Sequence, residues 1–260
     1  MKHDPAQVKK LNSLMKKLKA RHKDLEPPAY TPTTQLIIAF LTADATRKQA
    51  EKAYDALMEH MVDNNELRVS HTEEIVEIIG EKYPRVYWRV ERMREALNEI
   101  FRREHDHNMV RAAQMNKKEQ RQYLDSLPGM IPYVSASVML LCFGGHAIPV
   151  DDKLNALLVR EGIVDEGLTP AEVEALLLRQ FKAGDPAVEA HLLLQAWSDG
   201  CRTPAHVLNA PEPATFEVES VLEKSPEDEE QTPPAKTTKK KTTKKKTTKK
   251  TTAAKRSKKK

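Results

Sequence analysis

The chain has 260 residues, a formal net charge of +5 and two cysteines. Two cysteines exclude a disulfide framework and a cysteine-ligated zinc site, and their scarcity suits a reducing compartment. The longest apolar run, VSASVMLLCFGGHAIPV, contains Gly and Pro and is too short to span a bilayer as a helix; the N-terminus lacks an apolar signal core, so the chain reads as soluble and intracellular. The first 30 residues hold eight Lys/Arg against three acids, and Asp4-Pro5 caps a helix carrying Val8, Leu11, Leu14, Met15 and Leu18 at helical spacing. Pro27-Pro28 ends that unit. Residues 36–41 form a short buried segment with Thr33 and Thr34 as caps, and 48–61 is amphipathic through Ala50, Ala53, Tyr54, Leu57 and Met61. Ser70-x-x-Glu73 reads as a capping box before Ile75, Val76, Ile78 and Ile79, closed by Gly80. Pro84 starts a helix through Trp88, Met93, Leu97 and Phe101, and 117–127 forms another. After a Pro-Gly turn come 134–143, 151–160, 169–181 (opened by Thr169-Pro170-x-Glu172) and 185–197 (opened by Asp185-Pro186). No stretch alternates apolar and polar residues as a half-buried strand does, so the spacing predicts an all-α body of roughly ten helices.

The two ends of the body differ in charge. Residues 236–260 hold 14 Lys/Arg and no acid, which leaves −9 for residues 1–235 out of the total of +5. Such a segment cannot bury enough apolar surface to offset its ordering entropy and is predicted to stay disordered. Residues 211–235 are rich in Pro and Glu and read as an acidic linker. The high pI therefore belongs to the tail. Its lysines, among them Lys239, Lys240, Lys241, Lys244, Lys245 and Lys246, are of the kind that neutralise phosphates on nucleic acid through counterion release. The alternative is a solubilising extension.

Two features carry chemistry. Leu127-Pro128-Gly129 sits between two predicted helices; a tight turn feeding a helix presents backbone N–H groups and a helix dipole to an anion, the physical basis of a hairpin that holds a DNA phosphate without reading sequence. The same three residues also suit an ordinary helix connection. Asp151 opens the helix 152–160, so it is either an N-cap, a carboxylate serving a site, or both. Glu104-His105-Asp106-His107 has metal-ligand residue types but stands at a helix end among Arg and Asn, and reads as a solvated loop. Tyr87 and Trp88 can stack on a base or pack in the core, His146 and His191 read as structural, and Cys142 reads as a small buried hydrophobe.

The segment LPGMIPYVSASVMLLCFGGHAIPVDDKL, 127–154, resembles the helix-hairpin-helix DNA glycosylases, specifically their endonuclease III and adenine-glycosylase branch. That family reads Leu-Pro-Gly-Val-Gly-Arg-Lys-Thr-Ala, an apolar helix, Phe-Gly, then Val-Asp-Thr-His. Leu127, Pro128, Gly129, Phe143, Gly144, Val150 and Asp151 match without a gap. Upstream, LIIAFLTADATRKQAEKAYDAL (36–57) is similar to the family's first core helix, and the likeness extends over about residues 8–202. It implies a two-lobed helical glycosylase-like fold. The implied divisions are a basic N-terminal helix (1–30), a glycosylase-like domain (31–210, hairpin 124–144), the acidic linker (211–235) and the Lys/Thr-rich tail (236–260).

The resemblance also implies roles. Asp151 would stabilise positive charge developing on deoxyribose as the base departs. Leu127, Pro128, Gly129, Met130, Ile131, Tyr133 and Val134 would form the DNA-binding hairpin, with Asp44, Tyr133 and Lys153 lining the pocket or facing DNA. Departures matter as much. Tyr133 stands where bifunctional members carry the Schiff-base Lys, so imine chemistry by that route is lost. Ile131 replaces the second hairpin glycine, Pro132 removes an N–H, and Asp44 replaces the Gln that fills the gap left by an extruded base. Asp152, beside Asp151, raises the question of carboxylates shifting each other's pKa. Only Cys201 lies near an iron–sulfur ligand position, so no cluster and no metal are expected. Together these imply a monofunctional DNA N-glycosylase, monomeric, on double-stranded DNA, away from membranes and associated with a nucleoid or nucleus. The alternative is a catalytically silent binder acting through its Lys-rich tail.

Overall fold

The computed structural model describes residues 4–208; the linker and tail, with Lys239 to Lys246, lie outside the described residues. Thirteen helices and no strand occur among them: α1 (Pro5–Arg21), α2 (Pro32–Thr42), α3 (Arg47–His60), α4 (Asn64–Val69), α5 (Thr72–Ile79), α6 (Val86–Glu104), α7 (Val110–Gln114), α8 (Lys117–Asp125), α9 (Pro132–Leu141), α10 (Asp152–Arg160), α11 (Pro170–Leu177), α12 (Asp185–Asp199) and α13 (Ala205–Leu208). The fold is all-α, as the periodicity predicts.

α2 and α9 are the spine. Both start with Pro at the first helical position, where a missing N–H costs nothing. Both are apolar nearly all round, a pattern that only a helix packed on every side sustains. They pack on each other, and two lobes form around them. In one lobe α4 and α5 pack on α6, which also touches α2, and α3 packs on α2 and α5; in the other α1 packs on α12, and α11 and α13 pack on α10, which itself packs on α12. Polar groups inside the spine bond locally: the Thr42 hydroxyl donates to the Ile38 carbonyl at 2.7 Å and that of Ser137 to the Tyr133 carbonyl at 2.8 Å.

Several caps follow the sequence. Asp4 and Thr169 both form capping boxes, with Gln7 and Glu172 respectively. Others move. The cap of α2 is Thr31, not Thr33 or Thr34, because Pro32 fixes the first helical residue; Thr33 is buried and donates to the His107 carbonyl. Ser70-x-x-Glu73 is no capping box: Ser70 ends α4 and bonds back to the Glu66 carbonyl at 3.0 Å, and α5 starts after His71 without a side-chain cap. α6 starts at Val86 rather than at Pro84, because Arg85 takes a left-handed conformation, φ 51°. Both acids of the Glu104–His107 stretch are structural: the Glu104 carboxylate accepts the Arg111 and Ala112 N–H groups at the start of α7 (2.9 and 3.2 Å), and Asp106 accepts the Asn108 N–H at 2.7 Å. No described helix is long and apolar enough to cross a membrane.

Candidate active site

The α8–α9 hairpin is built by its sequence. Leu127-Pro128-Gly129-Met130 closes a turn through Met130 N–H to the Leu127 carbonyl at 3.2 Å, with Pro at the second position and Gly129 at φ 71° in the third. That is the residue order a type II turn demands. Gly129 is required for space as well, since a Cβ there would stand 2.6 Å from the Arg92 carbonyl oxygen. α6 grips the turn by its carbonyls: Arg103 donates to the Ser126 carbonyl at 2.9 Å and to its hydroxyl at 2.7 Å, and Arg92 reaches the Gly129 carbonyl at 3.4 Å. Ile131, at φ −115°, is the extended cap of α9, so replacing the family's second glycine creates no backbone strain here.

Asp151 bears out its N-cap reading and also bonds across the chain. It is the N-cap of α10, one carboxylate oxygen accepting the Leu154 N–H at 2.7 Å. Its other oxygen accepts the Asp44 N–H at 2.8 Å. Asp44 answers in kind: its own carboxylate accepts the Lys153 N–H at 3.2 Å and pairs with the Arg85 guanidinium at 3.3 Å. Asp44 and Arg85 both hold left-handed backbones, φ 57° and 51°, an arrangement that costs non-glycine residues about 1–2 kcal/mol each. The strained segment after α2 is anchored by α6 and its approach, because Tyr83 donates to the Leu41 carbonyl at 2.7 Å and the fully buried Arg89 donates to the Phe40 carbonyl.

These two constructions meet. Met130, Ile131, Pro132 and Tyr133 from the hairpin, and Asp44, Asp151 and Asp152 from the acidic end, line one cleft of about 410 Å³. Burial, then the charge of Asp44, pushes the Asp151 carboxyl up to about 7, against the pull of its two N–H donors. Burial and Asp44 also raise Asp152, while Arg85 and His206 oppose the rise. Tyr133 forms a wall of the cleft, but its hydroxyl is directed to Gln195 at 3.1 Å, and burial holds it well above the ordinary phenol range.

Other predicted residues fall elsewhere. Leu127 and Val134 are core, and Pro128 is half-buried. Lys153 is not among the cleft-lining residues: it is 1% exposed, its charge felt by Asp151 and Asp199. Asp44 does line the cleft, its carboxylate held by Arg85 and by the Lys153 N–H. Trp88 is buried and lines the cleft, whereas Tyr87 is exposed. Cys142 is half-buried, its thiol pushed up to about 12 by burial, and Cys201 sits near Arg160 at 3.9 Å. A thiolate-held iron–sulfur cluster needs four such ligands, so the residues present do not fit one. The sequence reading missed Arg85 and Arg92. Their spacing with Trp88, three and four residues apart, was the available signal that one face of α6 fronts the cleft.

No protein-family model matches the sequence, and no curated protein matches it either. Solved structures do match. An endonuclease III trapped as a covalent intermediate with DNA is 18% identical, with a TM-score of 0.56 over 72% of this chain and 84% of that one. The 8-oxoguanine glycosylase/lyase of Clostridium acetobutylicum, in complex with double-stranded DNA, is 16% identical, with a TM-score of 0.58 over 76% and 70%. A thermostable thymine-DNA glycosylase is 19% identical, with a TM-score of 0.54 over 74% and 86%. The chain therefore shares the all-helical fold of these DNA glycosylase structures.

Proposed function

We propose that the chain is a DNA N-glycosylase that releases a base without Schiff-base lyase chemistry. The observation that carries this reading is the shared cleft: the hairpin residues 130–133 and Asp151 line the same cavity. A duplex gripped at the hairpin by its phosphate backbone would present an extruded nucleotide to the carboxylate. Asp151, fixed by two N–H donors, offers negative charge in a place largely cut off from water, where it stabilises a developing sugar cation more strongly than in solvent. Tyr133 offers no amine, and Lys153 is buried and does not line the cleft, so neither supports an imine. The reading includes double-stranded DNA as partner, action as a monomer with no resident cofactor, and a place on a nucleoid. The lysines of 236–260 supply sequence-independent phosphate contacts.

The test is incubation with duplexes carrying uracil, hypoxanthine, oxidised guanine opposite adenine, or alkylated bases, followed by alkali. Strand breaks only after alkali, abolished by Asp151→Asn, support the reading; breaks before alkali oppose the monofunctional part. The second reading, a catalytically silent DNA binder, draws on one observation: both Asp151 oxygens are already engaged by backbone N–H groups. It expects no base release from any duplex, and salt-sensitive binding lost when 236–260 is deleted.

A further inference from the structure

One buried cation has no acid to pair with. Arg89, on α6, is 1% exposed and forms no ion pair among the described residues. A charge taken out of water without a counterion is costly to any fold. Two carbonyls and a ring answer it instead. Its Nε donates to the Pro84 carbonyl at 3.0 Å, its Nη1 donates to the Phe40 carbonyl, and the guanidinium lies 5.4 Å from the centre of the Tyr83 ring. Tyr83 in turn donates its hydroxyl to the Leu41 carbonyl at 2.7 Å.

These bonds complete a helix end. An α-helix leaves its last four carbonyls without partners of its own. In α2 they belong to Ala39, Phe40, Leu41 and Thr42. The Ala43 N–H donates to the first at 3.1 Å, Arg89 to the second, Tyr83 to the third and the Ala45 N–H to the fourth at 2.8 Å. A cation also suits the negative end of the helix dipole. The chain leaving this end turns at once into left-handed Asp44, whose N–H donates to Asp151. The other carbonyl on the Arg89 fork is that of Pro84, just before left-handed Arg85, whose guanidinium pairs with Asp44. One planar fork thus stands behind both strained residues of the acidic end. A guanidinium reaches two acceptors in fixed directions, which an ammonium on a flexible stem does not.

Resting on the glycosylase reading above, in which Asp151 does the chemistry, we propose that Arg89 is a positioning residue: its fork ties the end of α2 to the approach to α6 and so holds the Asp44 N–H against the Asp151 carboxylate. Electrostatics work in the same direction. The charge of Arg89 is felt by Asp44 and Asp151, and the bond from the Asp44 N–H itself favours the ionised form of Asp151. The other groups around Asp151 are Asp44 and Lys153, with Asp199 beyond the lysine, Tyr133 on the cleft wall, and its chain neighbour Asp152, which feels Arg85 and His206. Of these groups, Arg89 is the one bonded to the carbonyls of α2 among the described residues.

The experiment uses the full chain with carbon-13 in its aspartate carboxyls, the Asp151 resonance being identified by its loss in Asp151→Asn. Arg89→Lys keeps the charge and loses the fork. It is expected to move the Asp151 titration midpoint up from about 7 by at least about half a pH unit. Base release by this variant should fall about two- to fivefold at pH 7 and recover by pH 9, with KM unchanged, because so buried a side chain meets no DNA. Tyr83→Phe keeps the ring, gives up only the Leu41 bond, and is expected to move the midpoint the same way by less. A midpoint unmoved in Arg89→Lys, whatever its Tm, overturns the inference, since the charge alone would then suffice and the fork would only stabilise. Should Arg89→Lys not fold, Tyr83→Phe decides on the same criterion. A raised midpoint in a chain that releases no base from any duplex overturns the glycosylase reading and leaves the positioning of the carboxylate standing.

Discussion

The two ends of the cleft are made in opposite ways. At the hairpin end the backbone supplies the shape and cations hold it, Arg92 and Arg103 of α6 taking the carbonyls of Gly129 and Ser126. At the acidic end side-chain carboxylates supply the shape and N–H groups hold them, with Asp44 and Asp151 each accepting from the other's segment. Strain is distributed accordingly. The positive φ at the hairpin falls on glycine, where it is nearly free, whereas at the acidic end it falls on Asp44 and Arg85, where it is not. A turn that only has to fit can be solved with glycine. A turn that must also present a carboxylate and a guanidinium cannot, and it carries a conformational penalty that the rest of the fold offsets.

Breaking each end should therefore give a different phenotype. Asp151→Asn is expected to cost about 10²–10⁴-fold in single-turnover base release with the fold intact, since Asn still caps a helix. Gly129→Ala should instead cost stability, about 2–4 kcal/mol from positive φ and the collision with the Arg92 carbonyl. In a body of this size that lowers the Tm by about 10 °C. Ile131→Gly should do less, costing about 1–2 kcal/mol, because φ is already −115° and only a partly buried side chain and backbone order are lost. A comparable drop in both hairpin variants would show that the turn tolerates no distinction between the two positions.

The pH dependence sharpens the acidic end. Asp151 has its pKa raised to about 7, so the charged form needed for catalysis fills only as pH passes that value, and base release should rise with a midpoint near 7. Stability runs the other way. The folded state holds this proton more tightly than the unfolded chain, so the contribution is present below about pH 4 and is lost as pH climbs toward and through 7. Compared with the parent, Asp151→Asn should melt relatively higher at pH 8 than at pH 5. A constant difference between the two would mean that Asp151 is charged throughout. The smallest effect concerns Arg85. Arg85→Ala and Arg85→Gly lose the same bonds, but glycine releases the left-handed strain, so Arg85→Gly should be the more stable by about 1 kcal/mol in chemical denaturation.

How much of this was legible follows from sequence distance. The type II turn, the Asp151 cap and the boxes at Asp4 and Thr169 are decided within three or four residues, and the sequence announces each. The apolar content of α2 and α9 marks them as central. The acidic end is decided across the chain: Asp151 meets Asp44 from 107 residues away, and Arg85 reaches Asp44 across 41. Asp44 reads as a bare charge until its partners are in view, and Lys153 reads as lining the pocket or facing DNA until its burial is. The capping box expected at Ser70 does not form for a local reason, since α4 ends on the very residue the motif needs as a cap and its hydroxyl turns backward to Glu66.

Arg85 has one arm on Asp44 and another on the Val207 carbonyl, in the last helix before the acidic segment begins. Peeling that short helix from the body takes away a ligand of the guanidinium and leaves it to Asp44 alone. Whatever tugs on the chain beyond residue 208 is thus mechanically wired to the carboxylate end of the cleft. An affinity tag, a protease cut or a protein bound to that stretch would register in the chemistry without touching the cleft.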